Sequence, residues 1–329
     1  MNRIALFIFL PIILFGLPYS AMASEVRAFH NINQLPFKQI FGLPSLENNP
    51  LTEAGRFRIN VISNISNTFD ISNGSDNIIT DTETVRASLV LSYAVRNNWQ
   101  LGVELPYVRH NGGFLDDFIY DWHDFFNLPQ NGRAKDSSDR IQVAFLSSTG
   151  ASFALNSSGG GLGDIRINSN YTLPWHNRAL IISTELKLPT GEFAKLTGSG
   201  GLDFSMGLML NDPLSLGKYR LTLFGGLAGV FLGDIDSDMS AIQNKFALTG
   251  RIGVGWQASR FIQLKLQLDG HTALYDSDVK EMGDSGLQLV FGSSIILSDS
   301  TCLDMSIAED ISISTAADVA FQLALAVSY

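Results

Sequence analysis

The chain has 329 residues, of which 45% are hydrophobic and 16% are charged, and its formal net charge is −10. Soluble domains average about 25% charged residues, so the low charge content indicates that many surface positions face something other than water. The acidic balance and the lack of a basic cluster argue against nucleic acid as a partner.

The first 23 residues have the pattern of a secretory signal peptide. Arg3 supplies the positive region, residues 4–17 are apolar, and an Ala-Met-Ala sequence at 21–23 precedes Ser24. The apolar part is shorter than the about 20 residues that a membrane-spanning helix needs. We therefore expect residues 1–23 to be removed on export, leaving a mature chain that starts near Ser24.

Residues 24–55 contain the stretch FHNINQLPFKQIFGLP at 29–44, in which Pro, Asn and Gly are mixed with apolar residues. This stretch has no sustained period of either the helical or the strand type. The pattern predicts an extended N-terminal lead segment ahead of a second region at 56–329.

From residue 56 onward, apolar and polar residues alternate in segments of about ten residues. Because a strand places successive side chains on opposite faces, each segment has one apolar and one polar face. About twelve segments show this pattern: 57–65, 85–93, 99–107, 165–173, 180–188, 202–210, 219–231, 246–256, 262–268, 287–297, 303–307 and 319–329. Several apolar faces begin and end with an aromatic residue, which is typical of the aromatic girdles of transmembrane barrels.

The third connection, residues 109–162, is too long for a simple loop and is typical of a functional or disordered one. Its Leu115–Phe126 stretch has apolar residues at helical spacing, which predicts a short helix that acts as a plug or lid, or that merely caps the barrel wall. The candidate plug or lid residues are Asp117, Asp121, Trp122, His123, Phe126 and Arg133. One histidine among carboxylates is a weak metal signal, so we expect no metal and no cofactor. Ile141–Leu146 and Ala151–Leu155 are predicted to form a hairpin beyond the membrane.

The remaining connections alternate between short and long. Tight turns are predicted near 97–98, 174–177, 212–217, 257–260 and 298–300, and longer loops near 66–81, 190–200, 233–244, 276–285 and 311–316. This alternation is typical of an outer-membrane barrel with both termini in the periplasm. The sequence thus predicts an all-β fold, an antiparallel transmembrane β-barrel of about 12 strands, with short periplasmic turns and one long outer loop carrying a short helix. The predicted location is the outer membrane of a Gram-negative bacterium.

The last segment, VAFQLALAVSY at 319–329, has an aromatic residue at both ends of its apolar face, Phe321 and Tyr329. It resembles the closing strand of bacterial outer-membrane barrels, and this resemblance implies recognition by the barrel-assembly machinery through the terminal Tyr329. We expect its backbone to pair with the strand around Phe57–Ile65 and its Phe321–Val327 face to meet outer-membrane lipid.

Four motifs carry a resemblance to a family: NQLPFKQIFGLP (33–44), WHDFFNLPQNGR (122–133), LGDIRINSNYTLP (162–174) and LKLPTG (186–191). With them the chain resembles the domain-of-unknown-function 3187 family of exported proteobacterial proteins. The last two motifs are also similar to outer-membrane barrels associated with aromatic-compound degradation pathways. The resemblance implies an exported barrel and brings no assigned activity or site residues.

The predicted inward faces collect most of the charged strand residues. The lumen-lining candidates are Arg56, Arg58, Arg86, Glu104, Asp164, Arg166, Glu185, Lys187, Asp203, Arg220, Lys245, Arg251, Lys265, Asp269 and Asp304. A polar interior is typical of an aqueous or partly plugged channel. Opposite charges on neighbouring strands, such as Arg166 beside Glu185 and Lys187 beside Asp203, would equally lock a filled interior by ion pairs.

Three functions fit this pattern. The first is a channel or passive transporter for a small solute, with the third loop constricting the pore. The second is a structural or adhesive envelope barrel that acts through its loops. The third is a membrane-embedded lipid-modifying enzyme built around His271, which needs a Ser-His pair at the membrane interface. Ser and Asp residues lie near His271 in the sequence, but the strand alternation points His271 inward. We expect a non-enzymatic barrel.

Overall fold

The computed structural model describes residues 26–113, 140–176, 178–312 and 314–329. Within these ranges the chain forms one antiparallel sheet whose strands are β1 (Phe57–Asn73), β2 (Asn77–Arg96), β3 (Trp99–Asn111), β4 (Gln142–Leu146), β5 (Ser152–Leu155), β6 (Gly159–Leu162), β7 (Arg166–Trp175), β8 (Arg178–Lys187), β9 (Asp203–Asp212), β10 (Leu221–Phe231), β11 (Phe246–Gln257), β12 (Ile262–His271), β13 (Gly286–Ile296), β14 (Thr301–Asp310) and β15 (Val319–Ser328). Short helical turns occur at Phe193–Lys195, Gly217–Tyr219, Asp238–Ile242 and Lys280–Gly283.

Twelve of these strands, β1–β3 and β7–β15, follow one another around a closed barrel. β3 pairs with β2 on one side and with β7 on the other, and β1 pairs with β2 and β15. In the described part of the chain, closure leaves none of the twelve barrel strands at an open sheet edge, which is the condition for a sheet to cross a bilayer. The predicted all-β barrel of about 12 strands is confirmed.

The seam between the first and last strands has the predicted register. Arg58 pairs with Ser328, and the pairing continues to Asn67 opposite Val319. Leu323 is 51% exposed on the outer face, whereas the adjacent Gln322 points inward and is buried. The terminal strand therefore closes the barrel with its apolar face outward, as the alternation predicts.

The two ends of the barrel differ as expected, with one exception. The predicted outer loop at 66–81 is wrong, because β1 and β2 run on as paired strands to Asn73 opposite Asn77, leaving a turn of residues 74–76. These residues are rich in Asn, Ser, Thr and Asp, which sequence patterns assign to loops. The β4–β5 hairpin supports the extension by pairing with β2 at residues 77–81, and it confirms the hairpin predicted within the third connection.

The lead segment lies inside the barrel. Residues 26–34 rise from the short-turn end toward the long-loop end, residues 35–41 form a turn, and residues 42–51 descend again to enter β1. We call residues 26–51 the N-terminal hairpin. None of its residues belongs to a strand, and its apex residues Phe37 and Phe41 are almost fully buried.

The apolar core of the molecule lies at the long-loop end. The apex of the hairpin packs there against outer strand ends, the β4–β5 hairpin and the loops after β8, β10 and β12. Phe37 makes an edge contact with Phe153 at 5.4 Å between ring centroids, and Phe41 makes one with Tyr275 at 5.4 Å. The hairpin apex thus closes this end of the lumen with an apolar cap.

Within the described ranges, no helix has both the length and the apolarity to cross a bilayer. The helix predicted at Leu115–Phe126, all six plug or lid candidates and the signal peptide at 1–23 lie outside the described residues.

Candidate functional site

The candidate site is the lumen wall together with the hairpin that occupies it. Of the predicted lumen-lining residues, ten are fully buried: Arg86, Glu104, Asp164, Arg166, Glu185, Lys187, Asp203, Arg251, Lys265 and Asp304. The side chains of Arg58 and Asp269 are 11% and 13% exposed and also face the hairpin.

Three predicted positions lie elsewhere. Arg56 is 46% exposed beside Glu53, and Lys245 is 59% exposed and contacts Asp234. Arg220 is exposed and adopts φ 63° immediately before β10. Each of the three lies just outside a strand, where the two-residue alternation no longer sets the direction of a side chain. Their assignment to the lumen is therefore corrected.

The charges of the wall pair with one another, mostly across neighbouring strands and in one case, Lys265 of β12 with Asp304 of β14, across an intervening strand. Arg166 of β7 lies 3.5 Å from Glu185 of β8, and Lys187 of β8 lies 3.1 Å from Asp203 of β9. Both pairs were expected from the order of the strands. Lys187 also lies 2.8 Å from Asp164. Further pairs join Arg86 to Glu104, Arg251 to Asp269 and Lys265 to Asp304, at 2.9, 2.7 and 3.1 Å.

The rising limb of the hairpin follows β12 with a constant separation of 238 residues. Lys265 Nζ donates to the Arg27 carbonyl at 2.8 Å, and the Phe29 N–H donates to Gln267 Oε1 at 3.0 Å. Asn31 donates to Asp269 at 2.9 Å, and Asn33 lies 2.9 Å from His271. Residues 27, 29, 31 and 33 of the limb therefore contact, in order, the inward-facing residues 265, 267, 269 and 271 of β12.

The descending limb is held by the opposite wall. Lys187 Nζ donates to the Ile40 carbonyl at 3.1 Å, and the Gly42 N–H donates to Asp203 Oδ2 at 2.7 Å. Arg166 donates to the carbonyls of Phe41 and Leu43 at 2.9 and 2.7 Å. The motif at 33–44 is thus bound by charged residues of the motifs at 162–174 and 186–191.

Arg251 connects the two limbs. Its guanidinium binds Asp269 through two hydrogen bonds of 2.7 and 3.0 Å. It also donates to the Asn31 carbonyl of the rising limb at 3.1 Å and to the Ser45 and Leu46 carbonyls of the descending limb. The planar, five-donor geometry of arginine makes these simultaneous contacts possible.

Two apolar side chains anchor the hairpin below its apex. Phe29 packs on Val290, Ala308 and Ala320, and Lys265 Nζ lies 3.8 Å above its ring. Leu46 packs in the same way on Ile181, Met209 and Ala228. These inward-facing apolar residues interrupt the polar wall where the hairpin contacts it. That interruption is the sequence signal from which two apolar contacts inside the lumen could have been expected.

At the apex a buried ammonium group binds backbone carbonyls of two outer loops. Lys38 is fully buried and donates to the Asp284 and Thr315 carbonyls at 3.2 and 3.0 Å. Burial lowers the pKa of Lys38 to about 8. The Tyr275 hydroxyl donates to the Phe37 carbonyl at 2.9 Å, and burial raises the pKa of this phenol well above its usual value.

Sequence reasoning missed the uncharged wall residues that bind the hairpin. Gln100 accepts from the Leu51 N–H at 2.7 Å, and Gln322 donates to the His30 carbonyl at 2.6 Å. Both occupy inward positions of their strands, so alternation places them beside the charged candidates. Their partners have no signature in the sequence, because the hairpin is not periodic.

A cavity of about 70 Å³ remains between the two limbs and the wall, toward the short-turn end. Its lining is mainly polar and includes Glu47, whose carboxylate binds Arg58 and Gln100, each at 2.8 Å. We call it the lumen chamber. It is a part of the interior that the hairpin does not fill.

His271, the residue on which the enzymatic alternative depended, binds the Thr272 carbonyl and the Asn33 side-chain amide of the hairpin. Its Nδ1 lies 2.8 Å from the Thr272 carbonyl, so Nδ1 donates and Nε2 accepts from the Asn33 amide. The ring therefore positions the hairpin. Over the described ranges, no three His, Cys, Asp or Glu residues are arranged to hold a metal ion.

The closed twelve-strand barrel, apolar outside and polar inside, defines the chain as a β-barrel of the outer-membrane type. The model of the DUF3187 family, described as a protein of unknown function, matches residues 4–329, and the chain belongs to this family. The resemblance inferred from the motifs is thereby confirmed. No curated protein matches the sequence.

The chain is similar to solved structures over most of its length. The COG4313 outer membrane channel from Pseudomonas putida F1 is 12% identical, with a TM-score of 0.54, and the match covers 84% of this chain and 96% of that one. The NanC porin is 8% identical, with a TM-score of 0.45, covering 82% and 98%. The toluene transporter TodX of P. putida is 11% identical, with a TM-score of 0.32, covering 84% and 88%. At these identities the likeness concerns the fold alone.

Proposed function

We propose that this protein is an outer-membrane channel for a small solute and that its N-terminal hairpin closes the channel. One observation carries the proposal: four of the wall cations that hold the hairpin also have a carboxylate partner on the wall. Arg166, Lys187, Arg251 and Lys265 keep Glu185, Asp203, Asp269 and Asp304 when the hairpin leaves. Arg58 differs, because its carboxylate partner, Glu47, lies on the hairpin itself. Withdrawal would therefore leave a polar lumen that water can fill, in which most of the cations that hold the hairpin stay paired.

The way in which the hairpin is held also supports a gate. Its backbone binds side chains of the wall and forms no ladder with any strand. Such contacts can be exchanged for water one at a time, whereas removing a barrel strand would open the sheet. The hairpin can therefore leave the lumen while the barrel stays closed.

A disulfide between hairpin and wall tests the gate. A Cβ built on Gly42 lies 2.8 Å from Asp203 Cβ, about 1 Å closer than in an average disulfide, so a small local shift would allow the bond. The variant is Gly42→Cys/Asp203→Cys in a Cys302→Ser background, because Cys302 is the one cysteine of the chain. Single-channel conductance in planar bilayers is recorded before and after addition of a reductant.

We expect the oxidised form to be silent and the reduced form to conduct. Each form is the matched control of the other, since they share one sequence. Equal conductance in both forms would show that the hairpin is not the gate. Absence of conductance and of solute flux in the parent and in the reduced variant would reject the channel and favour the structural or adhesive barrel.

The third connection belongs to the same proposal. We propose that Leu115–Phe126 constricts the outer mouth of the pore. This is tested by replacing the stretch with a Gly-Ser linker of equal length. A constricting segment predicts a higher unit conductance in the linker variant, and an unchanged unit conductance would exclude this role.

A further inference from the structure

The lumen chamber lies between the two limbs of the hairpin and touches both of them. Arg27–His30 of the rising limb and Pro44–Asn48 of the descending limb form one side, and β1, β2, β7 and β8 supply much of the other. Its volume of about 70 Å³ compares with roughly 10–15 Å³ for one water molecule measured in the same way. The chamber therefore has room for about five to seven atoms of water size.

The charges around the chamber are paired. Arg58 binds Glu47 at 2.8 Å, and the other lining carboxylates, Glu104, Glu185 and Asp304, bind wall cations. An added anion would face four carboxylates and an added cation would face Arg58 and other guanidinium groups. Neither sign of charge would find an uncompensated partner, so the lining disfavours a solute with a net charge.

Two residues that line the chamber each carry an acceptor without a hydrogen-bond partner in the described part of the chain. Asn170 is 2% exposed, and its buried Oδ1 is one of these atoms; Asn60 Oδ1 on β1 is the other. The orientation of the Asn170 amide follows from its contact with Glu47. A carboxylate only accepts, so the Asn170 atom that lies 3.3 Å from Glu47 Oε2 is the donor Nδ2. The atom that remains free is therefore an acceptor. A buried acceptor without a partner is costly, and a solute that donates would relieve that cost.

A donor is also present. Arg27 Nη2 lies 4.0 Å from Asp304 Oδ2, which is longer than a hydrogen bond, and its side chain keeps 18% of its surface accessible. The chamber thus presents acceptors on the wall and a guanidinium donor on the hairpin. A hydroxyl group both donates and accepts, so one type of group can satisfy both.

We infer that the lumen chamber binds a small uncharged polyol, of about three or four carbons, between Asn60, Asn170 and Arg27. This inference rests on the proposed function, because it names the class of solute that the channel admits. The polyol would contact both limbs of the hairpin, so the solute and the gate share the same residues.

Binding is measured apart from transport by saturation-transfer NMR on the mature protein in deuterated detergent micelles. The probes are glycerol and erythritol, with acetate and methylammonium as charged comparisons. The variants are Asn60→Leu and Asn170→Leu, each tested alone. The matched control is Asn73→Leu, which changes an exposed asparagine at the outer end of the same strand as Asn60. A heat-modifiable shift on gels verifies that each variant is a folded barrel.

We expect saturable transfer to the polyols, with an affinity that each chamber variant weakens about three- to tenfold and that the control leaves unchanged. Equal polyol signals in the chamber variants and the parent would overturn the inference, as would stronger binding of any charged probe. The two proposals fail separately. Conductance without polyol binding removes the solute class and keeps the channel, whereas polyol binding without any flux keeps the site and rejects the channel.

Discussion

Replacing Arg251 by methionine should release the hairpin from the lumen. Arg251 donates to the Asn31 carbonyl at 3.1 Å and to the Ser45 carbonyl, and it makes a longer contact of 3.4 Å with Leu46. A hydrogen bond to a charged group contributes about 1.5–3 kcal/mol, so the loss of two such bonds weakens docking by roughly 3–6 kcal/mol. This corresponds to an increase of about 10²- to 10⁴-fold in the population of the undocked hairpin.

The assay is the rate at which a cysteine at position 28, in the Cys302→Ser background, reacts with a maleimide carrying a 5-kDa polyethylene glycol. Ala28 belongs to the hairpin and lines the lumen chamber, so a polymer of that size reaches it only when the hairpin is out. The labelling rate then reports the undocked population, and Arg251→Met should raise it by the factor given above.

The matched control is Arg86→Met. Arg86 is an equally buried wall arginine that binds Glu104 at 2.9 Å, and in the described part of the chain its hydrogen bond and ion pair are both with that carboxylate. The Arg86→Met variant should change the labelling rate at position 28 much less than Arg251→Met does. If both variants accelerate labelling equally, the effect is a general loosening of the barrel. If Arg251→Met does not accelerate it, the contacts of Arg251 do not hold the hairpin, and the reasoning is refuted.

Two further predictions concern the ends of the hairpin and of the chain. Burial lowers the pKa of Lys38 from 10.5 to about 8 in the docked state. Between these two pH values the docked hairpin binds fewer protons than the undocked one, so a rise in pH favours docking. The ratio of docked to undocked hairpin should increase by at most tenfold per pH unit. The labelling rate at position 28, normalised to that of an exposed cysteine, should therefore fall over this pH range. An equal fall in a Lys38→Met variant would show that Lys38 is not the group responsible. Deleting Tyr329 removes two backbone hydrogen bonds to Phe57, of 2.7 and 3.1 Å, at the seam, so the folded fraction on heat-modifiability gels should fall strongly. Tyr329→Phe keeps both bonds and the aromatic ring and should assemble normally, and a deletion variant that assembles equally well would contradict the prediction.

The strands were predictable because the lipid outside the barrel requires apolar residues, whereas the interior requires polar ones, and the two alternate along each strand. Leu264 and Leu266 of β12 are exposed on the outside, while Lys265 between them is buried against the hairpin. That contrast disappears beyond the apolar band, where both faces of a strand can be polar. The outer halves of β1 and β2 lie in this region, which is why residues 66–81 resembled a loop.

The hairpin was not predictable from local patterns, because local contacts do not stabilise it. The partners of Arg27 and Phe29 lie 238 residues away on β12, and those of Phe41 lie more than a hundred residues away on β7. Alternation correctly placed Arg166 and Lys265 inside the barrel, but the groups that they bind are backbone carbonyls. Backbone carbonyls are present at every residue and leave no trace in the sequence.

The wall and the hairpin depend on each other to different degrees, and the proposed channel rests on this difference. A wall cation such as Lys187 keeps Asp164 and Asp203 whether or not the Ile40 carbonyl is present. The docked hairpin, in contrast, has few internal backbone hydrogen bonds and obtains its partners from wall side chains and outer loops. In water its carbonyls would be solvated, so leaving the lumen exchanges hydrogen bonds on the hairpin while most wall cations keep a carboxylate partner. The apolar apex around Phe37 and Phe41 opposes withdrawal, since its exposure costs about 25 cal/mol per Å². The strength of the proposed gate is therefore set in two places: at the outer end of the barrel, where the apex packs against the loops, and at wall residues such as Arg251 that bind both limbs.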